Sequence, residues 1–130
     1  MNEAYKYKIY FYESLNGNKP IKKFMNNRRD CPPAEAAKIY DELRLLAKHG
    51  YTRIEDKKEV IYKNIKSAAD LYEMRINSGR VRYRLFFSYC QENAFMFYHI
   101  YKKTDDSSQD HEIKISVNRL REYQESGKCK

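Results

Sequence analysis

Tryptophan is absent from this chain of 130 residues, and glycine (four), proline (three) and cysteine (three) are scarce. So few breaking residues, with 42% hydrophobic content, exclude a low-complexity or disordered polypeptide. The length suits one domain spanning 1–130, large enough to bury a core without staples. Cys31, Cys90 and Cys129 are odd in number and scattered, with no CxxC or Cys/His ligand spacing. Neither a zinc site nor a disulfide framework is expected, and a reducing cytoplasm is the default location. No Asp/Glu/His set has metal-ligand spacing, so no metal or other cofactor is expected. No apolar run approaches the ~20 residues of a membrane span. The opening "MNEAYKYKIYFYES" lacks the unbroken apolar segment of a signal peptide. No membrane partner is expected.

Acidic residues are also in short supply, 18 against 26 Lys/Arg, for a net charge of +8 and a pI near 9.3. Such an excess favours a polyanionic partner, nucleic acid first, although solubility alone accounts for many basic domains. The excess is concentrated. Residues 71–103 hold six Lys/Arg against two Asp/Glu, whereas residues 104–130 hold five against six. Thirteen tyrosines supply rings that bury one face and keep a wet hydroxyl.

"YKYKIYFY" (5–12) reads as a strand that ends at "NGN". Pro20 opens a short helix over "IKKFMNNRR", with Ile21, Phe24 and Met25 on one face. Residues 31–50 form the clearest helix. Pro32 and Pro33 open it, Gly50 closes it, and Ala36, Ile39, Tyr40, Leu43, Leu46 and Ala47 recur at helical spacing as core positions. A charged connection over 51–70 contains a β-like island, "VIYKNI". Leu71–Ile76 and Arg80–Tyr89, joined by Asn77-Ser78-Gly79, read as a β-hairpin, and 94–103 as a third strand of an antiparallel meander. Ser107 or Ser108 can cap a last helix with Ile113, Val117 and Leu120 on one face. The fold class expected is α+β: an antiparallel sheet with helices on one face and the other face left open.

Four arginines, Arg75, Arg80, Arg82 and Arg84, fall within ten residues of the hairpin. Alternation places Val81, Tyr83, Leu85, Phe87 and Tyr89 on one face and Arg82, Arg84, Phe86 and Ser88 on the other. Guanidinium groups fit phosphate oxygens and aromatic rings stack unpaired bases, so this second face suits single-stranded RNA. The competing reading is structural: Arg82 and Arg84 pair across strands with acids such as Glu73. Tyr98, His99, Tyr101, Lys102 and Lys103 gather at the end of the neighbouring strand, and His111 follows at the start of the last helix. Histidine and tyrosine can move protons and lysine can stabilise a phosphorane, although a lone histidine is more often structural.

The order of "LYEMR" (71–75), "YRL" (83–85), "YHIYKKT" (98–104) and "HEI" (111–113) resembles the RelE/ParE superfamily of toxins, in particular its HigB-like, phage-derived branch. The resemblance runs over nearly the whole chain, including "YFYESLNGNKPIKKFM" and "LRLLAKHG". It implies a RelE-like sheet with an N-terminal helical hairpin and a C-terminal helix. It also implies a toxin that cuts mRNA in the ribosome without a metal and is neutralised by a cognate helix-turn-helix antitoxin, through which it can reach operator DNA. By position, Arg84 matches the phosphate-binding arginine, Lys102 and Lys103 the paired lysines, Lys63 a lysine preceding the meander, and His99 a histidine found in some members. Tyr98 stands where others carry His, and Ile100 where Phe is usual, which leaves the proton donor open. The resemblance implies attack of the RNA 2′-OH on the adjacent phosphate. Two rivals share the features read so far: a gyrase-directed ParE-like toxin and a non-catalytic corepressor.

Overall fold

A computed structural model describes residues 5–50, 61–65, 70–79, 81–90, 93–103 and 109–126. Arg80 and the proposed caps Ser107 and Ser108 lie outside the described residues. Strand β1 spans Lys8–Phe11 and is followed by helices α1 (Pro20–Asn26) and α2 (Pro33–His49). Strands β2 (Ile61–Asn64), β3 (Tyr72–Ser78), β4 (Val81–Tyr89) and β5 (Ala94–Lys103) come next, and helix α3 (Asp110–Ser126) closes the chain. The α+β class holds. The strands form one sheet in the order β1-β5-β4-β3-β2.

Two expectations about the sheet change. The island in "VIYKNI" is a paired strand, β2, antiparallel to β3. The N-terminal strand runs parallel to β5, because the helical hairpin carries the chain back to the same end of the sheet before the meander begins. Helix α1 is shorter than "IKKFMNNRR" suggests. The side-chain oxygen of Asn27 accepts from the Arg29 N–H at 3.0 Å, a local turn that competes with a further helical turn. Both helices begin at a proline in the first turn, where its missing N–H costs nothing. Helix α2 stops at Gly50, whose φ of 56° and close approach to the Tyr7 ring leave no room for a Cβ.

One face of the sheet packs against α1 and α2. Ile21, Met25, Ile39, Leu43 and Leu46 meet Met74, Tyr83, Leu85, Phe87, Phe95 and Phe97. The rings of Phe87 and Phe97 stack with centroids 4.8 Å apart. Each fully buried side chain of this kind contributes about 1.5–3 kcal/mol, so this layer dominates the stability. Tyr40, assigned to the core by its spacing, is instead 37% exposed.

The second face is not left open. Leu120 and Tyr123 of α3 close a second core with Tyr12, Leu71, Phe86, Met96 and Tyr98, and Ile113 and Val117 pack at its margin. The reason is that Leu71, Phe86, Met96 and Tyr98 make a second apolar layer on the face opposite the first core. Two apolar faces require two covering layers. Cys31 is a free, buried thiol, but Cys90 is disulfide-bonded, against the expectation of no disulfide.

Candidate functional site

The register aligns the charged residues of the second face in rows. Lys63, Glu73, Phe86 and His99 are successive partners across β2, β3, β4 and β5. The next row holds Arg75, Arg84 and Tyr101, and the one beyond holds Asn77, Arg82 and Lys103. Arg75 and Arg84 therefore face one another directly, a like-charge pair that is unfavourable without an acid between them. Glu73 is that acid. Fully buried, it accepts from Arg75 Nε at 2.6 Å through Oε1 and from Gln109 Nε2 at 2.6 Å through Oε2. The Gln109 amide also donates to the Tyr101 hydroxyl at 2.7 Å.

Arg84 is only 7% exposed, and its Nε lies 4.0 Å from Glu73 Oε2, beyond hydrogen-bond reach. Its Nε and Nη1 are buried and have no hydrogen-bond partner among the described residues. Burial pushes the Arg84 pKa down, against the pull of the Glu73 charge. The group remains a cation, since arginine does not deprotonate in proteins. The cross-strand pair of Arg84 with Glu73 weighed from the sequence is thus present only at 4.0 Å, and the close bond of Glu73 is to Arg75 of its own strand.

A bulge in β5 shapes the other half of the site. Phe86 pairs with His99 and Phe87 with Phe97, so Tyr98 is the extra residue. A bulge of this kind turns two successive side chains toward one face. Tyr98 consequently enters the second core, where its hydroxyl and the Ser88 Oγ are 2.7 Å apart. Burial pushes its pKa up to about 12. That hydroxyl is committed inside the protein.

His99 is held on both sides by α3. Its Nε2 is 2.9 Å from Glu112 Oε1 and its Nδ1 is 3.4 Å from Arg119 Nη1. A carboxylate only accepts and a guanidinium only donates, so the partners select the neutral tautomer with hydrogen on Nε2. Burial, which lowers the His99 pKa, favours the same neutral ring. Arg119 Nη1 also donates to the Tyr98 carbonyl at 2.7 Å, tying α3 to the bulge.

The remaining sequence-derived residues divide. Arg75, Arg82, Arg84, Lys103 and His99 share the second face, and Lys63 occupies the register position beside Glu73. Lys102 does not join them. It points to the first face, with Nζ 6.0 Å from the Tyr83 ring centroid and 3.5 Å from the Arg29 carbonyl oxygen. Phe86 is fully buried and stacked on Tyr101 at 6.0 Å, so its ring is spent in the core. His111 is exposed on the first turn of α3. Gln109 and Arg119 carry no signal in the sequence, and Glu112 enters it only as part of "HEI". Only their place on, or directly before, a helix that covers this face gives them a role.

Among the described residues there is no cluster of three His, Cys, Asp or Glu side chains able to hold a metal, and no helix is long and apolar enough to cross a membrane. The sequence model of a family described as phage-derived protein Gp49-like (DUF891) matches residues 28–121, from the approach to α2 through most of α3. No curated protein matches the chain.

Proposed function

The chain belongs to the Gp49-like family of phage-derived proteins, a RelE-like family related to toxin-antitoxin toxins, and on that premise we propose that it is a HigB-like mRNA interferase. Membership implies a cognate antitoxin. The finer reading is ribosome-dependent cleavage of mRNA in the cytoplasm, with neutralisation by a helix-turn-helix antitoxin that also recruits the toxin to operator DNA. One observation carries it. Four basic side chains, Arg75, Arg82, Arg84 and Lys103, occupy adjoining rows of one sheet face, and the most buried of them has two nitrogens without a hydrogen-bond partner among the described residues.

Unpartnered N–H groups held in a dry setting are well placed to stabilise charge that develops on phosphate oxygens. In the reaction, the RNA 2′-OH loses its proton to a base as O2′ bonds to phosphorus. The P–O5′ bond then breaks, and an acid protonates the departing 5′-oxygen. The products are a 2′,3′-cyclic phosphate and a 5′-hydroxyl. Arg84 and Arg75 would bind the phosphorane, with Arg82 and Lys103 on the flanking phosphates and Lys63 beside Glu73. His99 is one of the candidate proton carriers that the sequence leaves open. With both ring nitrogens engaged by α3, it acts on RNA only by exchanging Glu112 or Arg119 for substrate. The proton step therefore depends on the ribosome-bound substrate to complete the site.

Induced expression without antitoxin tests the reading. Rapid loss of cellular mRNA with translation arrest is the expected result. A DNA-damage response with intact mRNA would favour a gyrase-directed toxin instead, and unaffected growth a non-catalytic corepressor.

A further inference from the structure

Glu73 has two oxygens and three cationic or amide donors around it, and Gln109 takes the oxygen that Arg84 would otherwise bond. Its Nε2 sits 2.6 Å from Glu73 Oε2, whereas Arg84 Nε stands off at 4.0 Å from the same atom. The same amide is anchored from the other side by the Tyr101 hydroxyl at 2.7 Å. Only the amide nitrogen can face a carboxylate, so the orientation of Gln109 is fixed by its partners.

A charged guanidinium beside a free carboxylate oxygen would close to a charge-assisted bond of about 2.8 Å. Arg84 does not close, and its Nε and Nη1 stay buried without hydrogen-bond partners among the described residues. The arrangement is costly in the free protein, since each unmade buried bond is unfavourable. A phosphate oxygen that meets those groups recovers this cost on binding, which strengthens the complex without any new residue.

We propose that Gln109 is a positioning residue that holds the Glu73 carboxylate away from Arg84 and so keeps the Arg84 guanidinium open for an RNA phosphate. This rests on the RNA-binding reading of the second face. Gln109 touches no substrate in this role and acts only through Glu73. Its place directly before α3 also couples the availability of Arg84 to the docking of that helix.

The decisive variant is Gln109→Met, which fills similar space and removes the donor. Glu73 Oε2 is then released, and Arg84 closes onto it. Three readouts follow: the Arg84 Nε–H signal by NMR, affinity for a single-stranded RNA oligonucleotide, and the unfolding midpoint. The expected result is a shifted, exchange-protected Arg84 Nε–H, RNA affinity reduced roughly tenfold or more, and a midpoint unchanged or raised. In an Arg84→Ala background the same substitution leaves RNA affinity unaltered. A purely structural glutamine would lower the midpoint and leave RNA affinity in place, and that result overturns the proposal. So does an Arg84 Nε–H signal identical to that of the parent protein. If the parent protein binds no RNA while Arg84 still closes in Gln109→Met, the positioning role stands and the interferase reading fails.

Discussion

Glu73 bonds Arg75 at 2.6 Å yet stands 4.0 Å from Arg84, so one buried carboxylate neutralises two facing arginines while satisfying only one. The asymmetry separates the two residues by experiment. Arg84→Ala leaves Glu73 with Arg75 and Gln109, and the fold should survive with a loss of about 1–2 kcal/mol. Glu73→Ala leaves Arg75 and Arg84 opposed without an acid and should cost roughly 3–5 kcal/mol. Urea unfolding of both variants checks this. Equal losses would mean that Arg84 is a structural partner of Glu73 after all.

Lys102 and Arg82 look equivalent in the sequence but lie on opposite faces. Arg82 pairs in register with Lys103 on the second face, and Lys102 reaches over Tyr83 on the first. Arg82→Ala should weaken RNA binding, and Lys102→Ala should leave it within about twofold, because only Arg82 is on the face that would meet the phosphates. Filter binding with one RNA decides the point. The reverse order would place the RNA on the α1–α2 side.

RNA affinity should fall steeply with salt. Each phosphate contact adds a slope of roughly 0.7 for single strands, so four cations give a log–log slope of about 3. A titration between low and high salt measures it. A flat response would count against any phosphate-reading surface.

Much of this arrangement was legible in the sequence. The β3–β4 hairpin follows from alternation and from Gly79 in its turn, and the two prolines and Gly50 bracket α2. The face shared by Arg82 and Arg84 was read correctly from period two. The cover over that face was not. Alternation assigns residues to sides but does not reveal that Leu71, Phe86, Met96 and Tyr98 together make a second apolar layer, which only α3 can close. The β5 bulge was equally hidden, because one extra residue leaves no compositional mark, yet it sends Tyr98 into the core and His99 toward Glu112. Gln109 and Glu112 become functional candidates only once α3 is placed over the sheet.

The pinning of α3 by His99 predicts a pH dependence. Burial lowers the His99 pKa from its ordinary 6.5, so the unfolded chain takes up a proton before the folded one does. This contribution to stability is full above pH 6.5 and is lost as pH falls below it toward the folded value. Urea midpoints at pH 7.5 and 5.5 should therefore differ, with the protein weaker in acid. His99→Gln should reduce the difference. An unchanged drop in His99→Gln would assign it to other groups.

The central claim is that the second face of the sheet engages and cuts mRNA on the ribosome. Its most direct test adds purified protein to ribosomes stalled on a defined mRNA and maps the new 3′ ends. The account predicts cleavage within the ribosome-held message, 3′ ends carrying a 2′,3′-cyclic phosphate, and loss of both with Arg84→Ala. Messages that stay intact with the parent protein, or cuts that persist undiminished in Arg84→Ala, would contradict it.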